Sequence, residues 1–336
     1  MKFFTRLFQL LLILAVLLFG IAYLLPREVI AERSIVIAKP QATVFTLIAS
    51  MNRFNEWSPW YGRDPNATYT QIGTGYGVGA GIAWKGNQEV GEGSQTVTAL
   101  EPYSRIEVDL DFGAEGPAKA GYLLEAVEGG TQVTWRFEAD MGINPLGRYF
   151  GLLIERFLGP DYEQGLAQLQ QLALTVPDGD PAGMQFEQVE VAAQTLIYVP
   201  QSTASGADAV SAGYANAYGQ IVPFMAANGL AQAAAPIGIE GESTPDQYQF
   251  DAAIPVTGMV AELVPPLQTK PGYQGKTLRT VHVGAYTALA DSVDGIRAYA
   301  AARGLQTNGR LWYSFVDDPT TVVEAELKTE IYLPIK

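Results

Sequence analysis

The opening stretch of the chain constrains it more than any other segment. From Leu7 to Leu25 no side chain is charged and leucine dominates. As a helix, such a run is long enough to cross the roughly 30 Å of hydrocarbon in a bilayer. Pro26 and Arg27 close it. A cleavable signal peptide is the competing reading, but that would want a shorter apolar core and a small-x-small cleavage site, whereas Tyr23, Leu24, Leu25 and Pro26 stand here. The expectation is therefore a retained membrane anchor over residues 1–30, in contact with the lipid bilayer. Lys2 and Arg6 precede the run and put the N-terminus on the cytoplasmic side, against the pull of Arg27 and Arg33. The protein is then expected in the inner (cytoplasmic) membrane as a single-pass chain, with its C-terminal domains periplasmic or otherwise extracytoplasmic.

A chain of 336 residues is too long for one ordinary domain and suits two, each able to bury a core. The 35 carboxylates against 21 Lys and Arg give a formal charge of −14. That balance repels a phosphate backbone, so nucleic acid is not an expected partner. Without cysteine there is no disulfide frame, thiol nucleophile or thiolate metal site. His282 is the single histidine, which leaves no histidine cluster for a metal. Neither a metal nor any other cofactor is expected.

Residues 31–175 read as a first domain. Ile106, Val108, Leu110 and Phe112 alternate with Arg105, Glu107, Asp109 and Asp111, and Val133, Trp135 and Phe137 alternate with Thr134, Arg136 and Glu138. Such period-2 patterns mark half-buried antiparallel strands. Pro40 starts a short helix through Val44, Phe45 and Ile48. A long helix ends the domain: Leu146, Phe150, Leu153 and Phe157, then Tyr162, Leu166, Leu169 and Leu172, share one face, with a kink expected at Gly159 and Pro160. The fold class is thus α+β, a helix-grip antiparallel sheet wrapped on a long C-terminal helix with a cavity between them. Trp57, Trp60, Tyr76 and Trp84 are candidates for the mouth of that cavity, the alternative being ordinary core aromatics. Asp64, Glu89 and Glu92 read as solvated charges.

Residues 176–184 hold Pro177, Asp178, Gly179, Asp180, Pro181 and Gly183 and read as a linker. The remainder, 185–336, repeats itself. Ala226–Leu230 returns as Ala301–Leu305 at a spacing of 75, each a helix ending on a glycine, and Pro236–Ile239 corresponds to Leu311–Ser314. Asp251–Val256 returns as Glu330–Ile335, four residues later than that spacing predicts. Two strand–helix–strand–strand units would combine about a pseudo-twofold axis with a cleft between them. Leu327, Ile331, Leu333 and Ile335 fit a core-facing row, which leaves Glu330 and Tyr332 together on the other face, with Asp251 and Ala253 as their counterparts. If that face lines the cleft, Glu330, Tyr332 and Asp251 are ligand-binding residues. His282, between Val281 and Val283 in a strand, reads as a structural histidine.

Two family resemblances sharpen these expectations. Glu32–Ile37, Pro40, Trp57-Ser58-Pro59-Trp60, Gly77-Val78-Gly79, Trp84-Lys85-Gly86-Asn87 and Val133-Thr134-Trp135 make the first domain similar to the START-like (SRPBCC) superfamily, in its polyketide cyclase or dehydratase branch. Arg279–Tyr286, Asp317-Asp318-Pro319 and Thr329–Pro334 make the second resemble the GyrI-like domain, the effector-binding module of bacterial transcription regulators. The second likeness implies a pocket in which Glu330 and Tyr332 match the pocket strand; Trp312 is a further ligand-binding candidate, and Tyr286, after Gly284-Ala285, either closes the pocket or simply packs. A second family glutamate usually follows the tryptophan ahead of the Asp-Pro turn; here Tyr313 follows Trp312, which removes a carboxylate. The expected function is non-catalytic capture of small hydrophobic or amphipathic molecules next to the bilayer. The rival is an enzyme, cyclase-like in the first cavity or a hydrolase of electrophilic molecules in the second.

Overall fold

The computed structural model describes residues 2–113, 116–260 and 262–336. The side chain of Lys2, one of the two charges that orient the expected anchor, lies outside the described part. The chain divides into two compact units, one comprising Met1–Val176 with Ala302–Gly304, the other Pro177–Ala301 with Leu305–Lys336.

In the first unit, α1 (Lys2–Ala22) precedes a seven-stranded antiparallel sheet in the order β1-β7-β6-β5-β4-β3-β2, curled as a half-barrel. Its strands are β1 (Glu28–Ile37), β2 (Thr68–Ile72), β3 (Gly81–Lys85), β4 (Glu92–Glu101), β5 (Arg105–Asp111), β6 (Pro117–Val127) and β7 (Gly130–Asp140). Helices α2 (Gln41–Ile48) and α3 (Pro145–Leu174) complete the unit. The alternation seen in the sequence governs the sheet: Ile106, Val108 and Leu110 of β5 and Val133, Trp135 and Phe137 of β7 are buried. Asn144 caps α3 by accepting the backbone N–H of Leu146 at 3.0 Å, and Pro145 occupies the first turn. Gly159 and Pro160, the expected kink, sit inside one uninterrupted helical span.

The two halves of α3 differ. Tyr162, Leu166 and Leu169 are buried as expected, but Leu146, Phe150, Leu153 and Phe157 are exposed. The whole helix was expected to grip the sheet on this row; its first half instead packs through Gly151, against Val29 of β1, and Ile154, and leaves the expected row uncovered. Among the described residues no helix is long and apolar enough to cross a membrane. The transmembrane span expected from the sequence is therefore not shown by the fold. What α1 does show is 21 residues of helix with Phe8, Leu11, Val16 and Phe19 exposed.

The second unit is built on a nine-stranded antiparallel sheet. Its strands are β8 (Glu187–Val191), β9 (Thr195–Ala204), β10 (Ala231–Gln232), β11 (Ile237–Ser243), β12 (Gln247–Thr257), β13 (Gln268–Pro271), β14 (Gly275–Val283), β15 (Trp312–Phe315) and β16 (Lys328–Pro334). They run β13-β9-β12-β11-β15-β16-β14-β8, with β10 paired to β12. The run β9-β12-β11 mirrors β14-β16-β15, so the repeated sequences meet where β11 pairs with β15. Helix α4 (Ala207–Ala227) lays Ala217, Ile221 and Met225 on Ile197, Phe250 and Ile254; α5 (Leu289–Ala302) lays Val293, Ile296 and Ala300 on Leu278, Tyr313 and Ile331. Register makes these one face, since Ala252 pairs with Gly238, Gly238 with Tyr313, and Tyr313 with Ile331. Each repeat therefore has its own core, and a gap remains between the helices.

Candidate functional site

That gap is a cavity of about 1090 Å³. Its floor is the β11–β15 pair, bearing Glu240, Tyr313 and Phe315; Tyr214 and Tyr218 of α4 form one wall, and Leu289, Val293 and Arg297 of α5 the other. Tyr248 enters from β12, and Tyr286 with Asp317 and Asp318 stands at the rim. The α4 wall, the floor and the rim are aromatic and tightly keyed. The Tyr214 ring lies 4.2 Å from Phe250 and edge-on to Phe315 at 5.2 Å, and Tyr286 meets Phe315 edge-on at 5.7 Å. The Tyr218 hydroxyl donates to the carbonyl of Ile237 at 3.0 Å.

Glu240 is the carboxylate of the floor. It accepts a hydrogen bond from the Tyr313 hydroxyl and an ion pair from Arg297 at 2.5 Å, while the Arg310 guanidinium holds its backbone carbonyl. Burial, reinforced by the Glu240 charge, pushes the Tyr313 hydroxyl far above the usual tyrosine range, and the same two causes push Tyr248 up to about 12. Burial likewise raises Tyr214 and Tyr218. At neutral pH the tyrosines of this groove are thus neutral donors, and the one floor carboxylate is already engaged. Such a lining can hold an apolar body and orient a polar group.

Of the residues singled out in the sequence for this domain, Tyr286 lines the cavity. Glu330, Tyr332, Trp312 and Asp251 do not; they stand on the opposite face of the sheet. There Trp312 stacks on Tyr332 at 5.0 Å, Tyr332 donates to Glu330 at 2.7 Å, and Arg279 bonds Glu330 at 3.1 Å. Asp251 is paired with Lys270 at 2.5 Å and Arg310 at 2.8 Å. His282 is buried, with Nδ1 2.9 Å from the Ser292 hydroxyl and Nε2 3.1 Å from the carbonyl of Ala285, which accounts for both ring nitrogens.

In the first unit, Trp57 is fully buried rather than at a mouth, edge-on to Phe54 at 4.8 Å and to Trp135 at 5.4 Å. Trp60 is half-buried and donates its indole N–H to Asp161 at 2.9 Å. Trp84 lies edge-on to Phe112 at 6.0 Å, and Tyr76 is half-buried in the β2–β3 loop. Asp64 corrects the expectation of a solvated charge: it is buried and accepts the backbone N–H groups of Asn66 and Asn87 at 2.9 and 2.7 Å.

Sequence reasoning missed Glu240. The departure at Tyr313 suggests a lost carboxylate, yet the neighbouring strand supplies one to that tyrosine. The signal available was the repeat, since a spacing of 75 sets Gly238 opposite Tyr313 and so puts Glu240, two residues on, on the same face.

Residues 28–173 match the family described as polyketide cyclase / dehydrase and lipid transport, and residues 184–336 match the family described as the GyrI-like small molecule binding domain. The chain joins these two families in that order. Both are small-molecule-binding families, so ligand binding is the property that the polyketide cyclase-type and GyrI-like units share. No curated protein matches the chain. Among solved structures, the EcmrR C-terminal domain is 15% identical with a TM-score of 0.40, covering 46% of this chain and 98% of its own. An uncharacterized conserved protein from Listeria innocua is 13% identical with a TM-score of 0.37, covering 45% of this chain and 92% of its own. EcmrR in complex with DNA is 12% identical with a TM-score of 0.39, covering 57% and 83% respectively.

Proposed function

We propose that the protein is a membrane-anchored, non-catalytic binder of small hydrophobic or amphipathic molecules, with the GyrI-like groove as its site. The observation that carries this reading is the cavity between α4 and α5, aromatic on its α4 wall and floor and provided with an engaged carboxylate at that floor. A general base needs a free acceptor beside the reacting atom. Glu240 instead accepts from Tyr313 and Arg297, which favours holding a ligand over transforming one.

The anchor rests on the uncharged run Leu7–Leu25 and on the 21 residues of α1, about 31 Å at 1.5 Å per residue. The site then belongs on the periplasmic side of an inner membrane, where compounds partitioning into the bilayer are concentrated. The test is titration of the detergent-solubilised full chain with a lipophilic fluorescent dye, wild type against Tyr214→Ala and Tyr313→Phe. Saturable enhancement that both substitutions weaken is the expected result; identical titrations for all three proteins would refute the groove as the site. Recovery of the chain in the soluble fraction after an alkaline wash of membranes would remove the anchor from the proposal.

A further inference from the structure

The first half of α3 buries Gly151 and Ile154 and carries a second apolar row that nothing in the unit covers. Leu146, Phe150, Leu153 and Phe157 follow one another at helical spacing, and they are 73%, 57%, 44% and 58% exposed. Phe150 and Phe157 stack along the stripe at 6.4 Å, and Ile143 extends it before the helix begins. A contiguous exposed row of large apolar side chains marks a contact surface, not ordinary solvent-facing helix.

Its neighbour identifies the contact. The Arg148 guanidinium donates to the carbonyls of Tyr23 at 3.0 Å and Leu25 at 3.4 Å, at the end of α1, and lies over the Tyr23 ring at 5.5 Å. The Tyr149 hydroxyl donates to the carbonyl of Leu18 at 2.8 Å. These bonds fix the first turns of α3 beside the last turns of α1, so the exposed stripe continues the apolar surface of Phe19, Ile21 and Leu24. Tyr23, Arg148 and Tyr149 stand at the junction. Tyrosines and an arginine at the edge of a Leu/Phe surface are the composition of a helix lying in the headgroup region.

We propose that residues 145–157 of α3 form a second membrane contact, lying in the lipid interface next to α1 and fixing the polyketide cyclase-type unit against the bilayer. This rests on the reading of α1 as the anchor, and it adds that the unit lies on the surface instead of hanging from a tether. The side of the unit that carries β1 and the start of α3 thereby faces lipid.

The chain has no cysteine, so single labels can be placed without background. The full chain would be reconstituted in phosphatidylcholine nanodiscs with an environment-sensitive fluorophore at Leu14→Cys, Phe150→Cys, Phe157→Cys or Gln171→Cys. Quenching would then be measured with nitroxide-labelled lipid. The expected result is strong quenching at Leu14, clear quenching at Phe150 and Phe157, and none at Gln171. Quenching at Leu14 alone would leave the anchor standing and overturn the second contact. Loss of quenching at Leu14 as well would overturn both. Unquenched but blue-shifted emission at Phe150 and Phe157 that fades with protein dilution would assign the stripe to a second copy of the chain and sink the lipid contact.

Discussion

The hydroxyl of Tyr214 stands directly over the bare backbone of Gly238. A Cβ built on Gly238 would fall 2.0 Å from the tyrosine oxygen and 2.7 Å from its Cζ. The ring has no retreat, because it is packed on Phe250 and Phe315. Gly238→Ala therefore forces Tyr214 out of the wall and into the groove. Overpacking of this kind costs about 1–3 kcal/mol. The expected outcome is a lower denaturant midpoint together with weaker dye binding, and a variant that binds as wild type would show that the ring does not bound the site.

Charge at the floor and charge on the far face of the same sheet should behave differently. Glu240→Gln removes the carboxylate that faces the cavity, and loss of a charge-assisted contact costs about 1.5–3 kcal/mol. For a dye carrying a donor or cationic group, affinity should fall about ten- to a hundredfold. Glu330→Gln leaves Arg279 with Glu187, its partner at 2.7 Å, and should leave dye affinity as it was. Isothermal titration of the two variants side by side decides the matter. Equal losses would mean that the ligand reaches both faces.

Alkaline pH should unfold the second unit through its tyrosines. Burial, with the Glu240 charge behind it, raises Tyr248 to about 12, and burial with the Glu330 hydrogen bond does the same for Tyr332. Unfolded tyrosine ionises near 10, so between about 10 and 12 the folded chain keeps protons that the unfolded chain has released. This contribution to stability is complete below pH about 10 and is lost as pH rises through about 12. Tyrosinate absorbance followed alongside circular dichroism should show a late group of tyrosines titrating together with the loss of fold. A smooth single titration near 10 with the fold intact would contradict it.

The first unit depends on another close approach. Gly165 of α3 faces Trp135, whose Cζ3 would lie 2.7 Å from an added Cβ, and Trp135 is itself stacked on Tyr162 at 4.0 Å and 10°. Gly165→Ala gains about 1 kcal/mol of helix propensity. Overpacking a buried ring costs about 1–3 kcal/mol, so the net change should be destabilising. Thermal unfolding should show an earlier transition, with groove binding in the second unit unaltered. A higher melting temperature would mean that Trp135 can move aside.

Strand faces were legible in the sequence because alternation acts locally. Ile106, Val108 and Leu110 are buried as read, and Glu330 and Tyr332 do share a face away from Ile331 and Leu333. Alternation sorts side chains onto two faces, but which face the helices flank is a tertiary fact. The sequence reading therefore looked to Glu330 where the groove holds Glu240. The same gap explains α3: Leu146, Phe150, Leu153 and Phe157 have the spacing of a core face, and spacing does not say whether the apolar neighbour is protein. At Trp57 two readings stood open, a cavity mouth and an ordinary core aromatic, and its burial fits the second. A loop position suggested a mouth, and the loop folds inward to fill the core.

The two halves of the GyrI-like sheet are joined by three registered pairs, Ile237 with Ser314, Gly238 with Tyr313 and Ile239 with Trp312. The groove floor is therefore also the seam of the domain. A guest spanning Tyr214 on one side and Arg297 on the other would act as a staple, adding to the ties that already cross the seam from Glu240 to Tyr313 and Arg297 and from Tyr214 to Phe315. Occupancy then adds to mechanical cohesion, and the filled domain should resist being pulled apart better than the empty one.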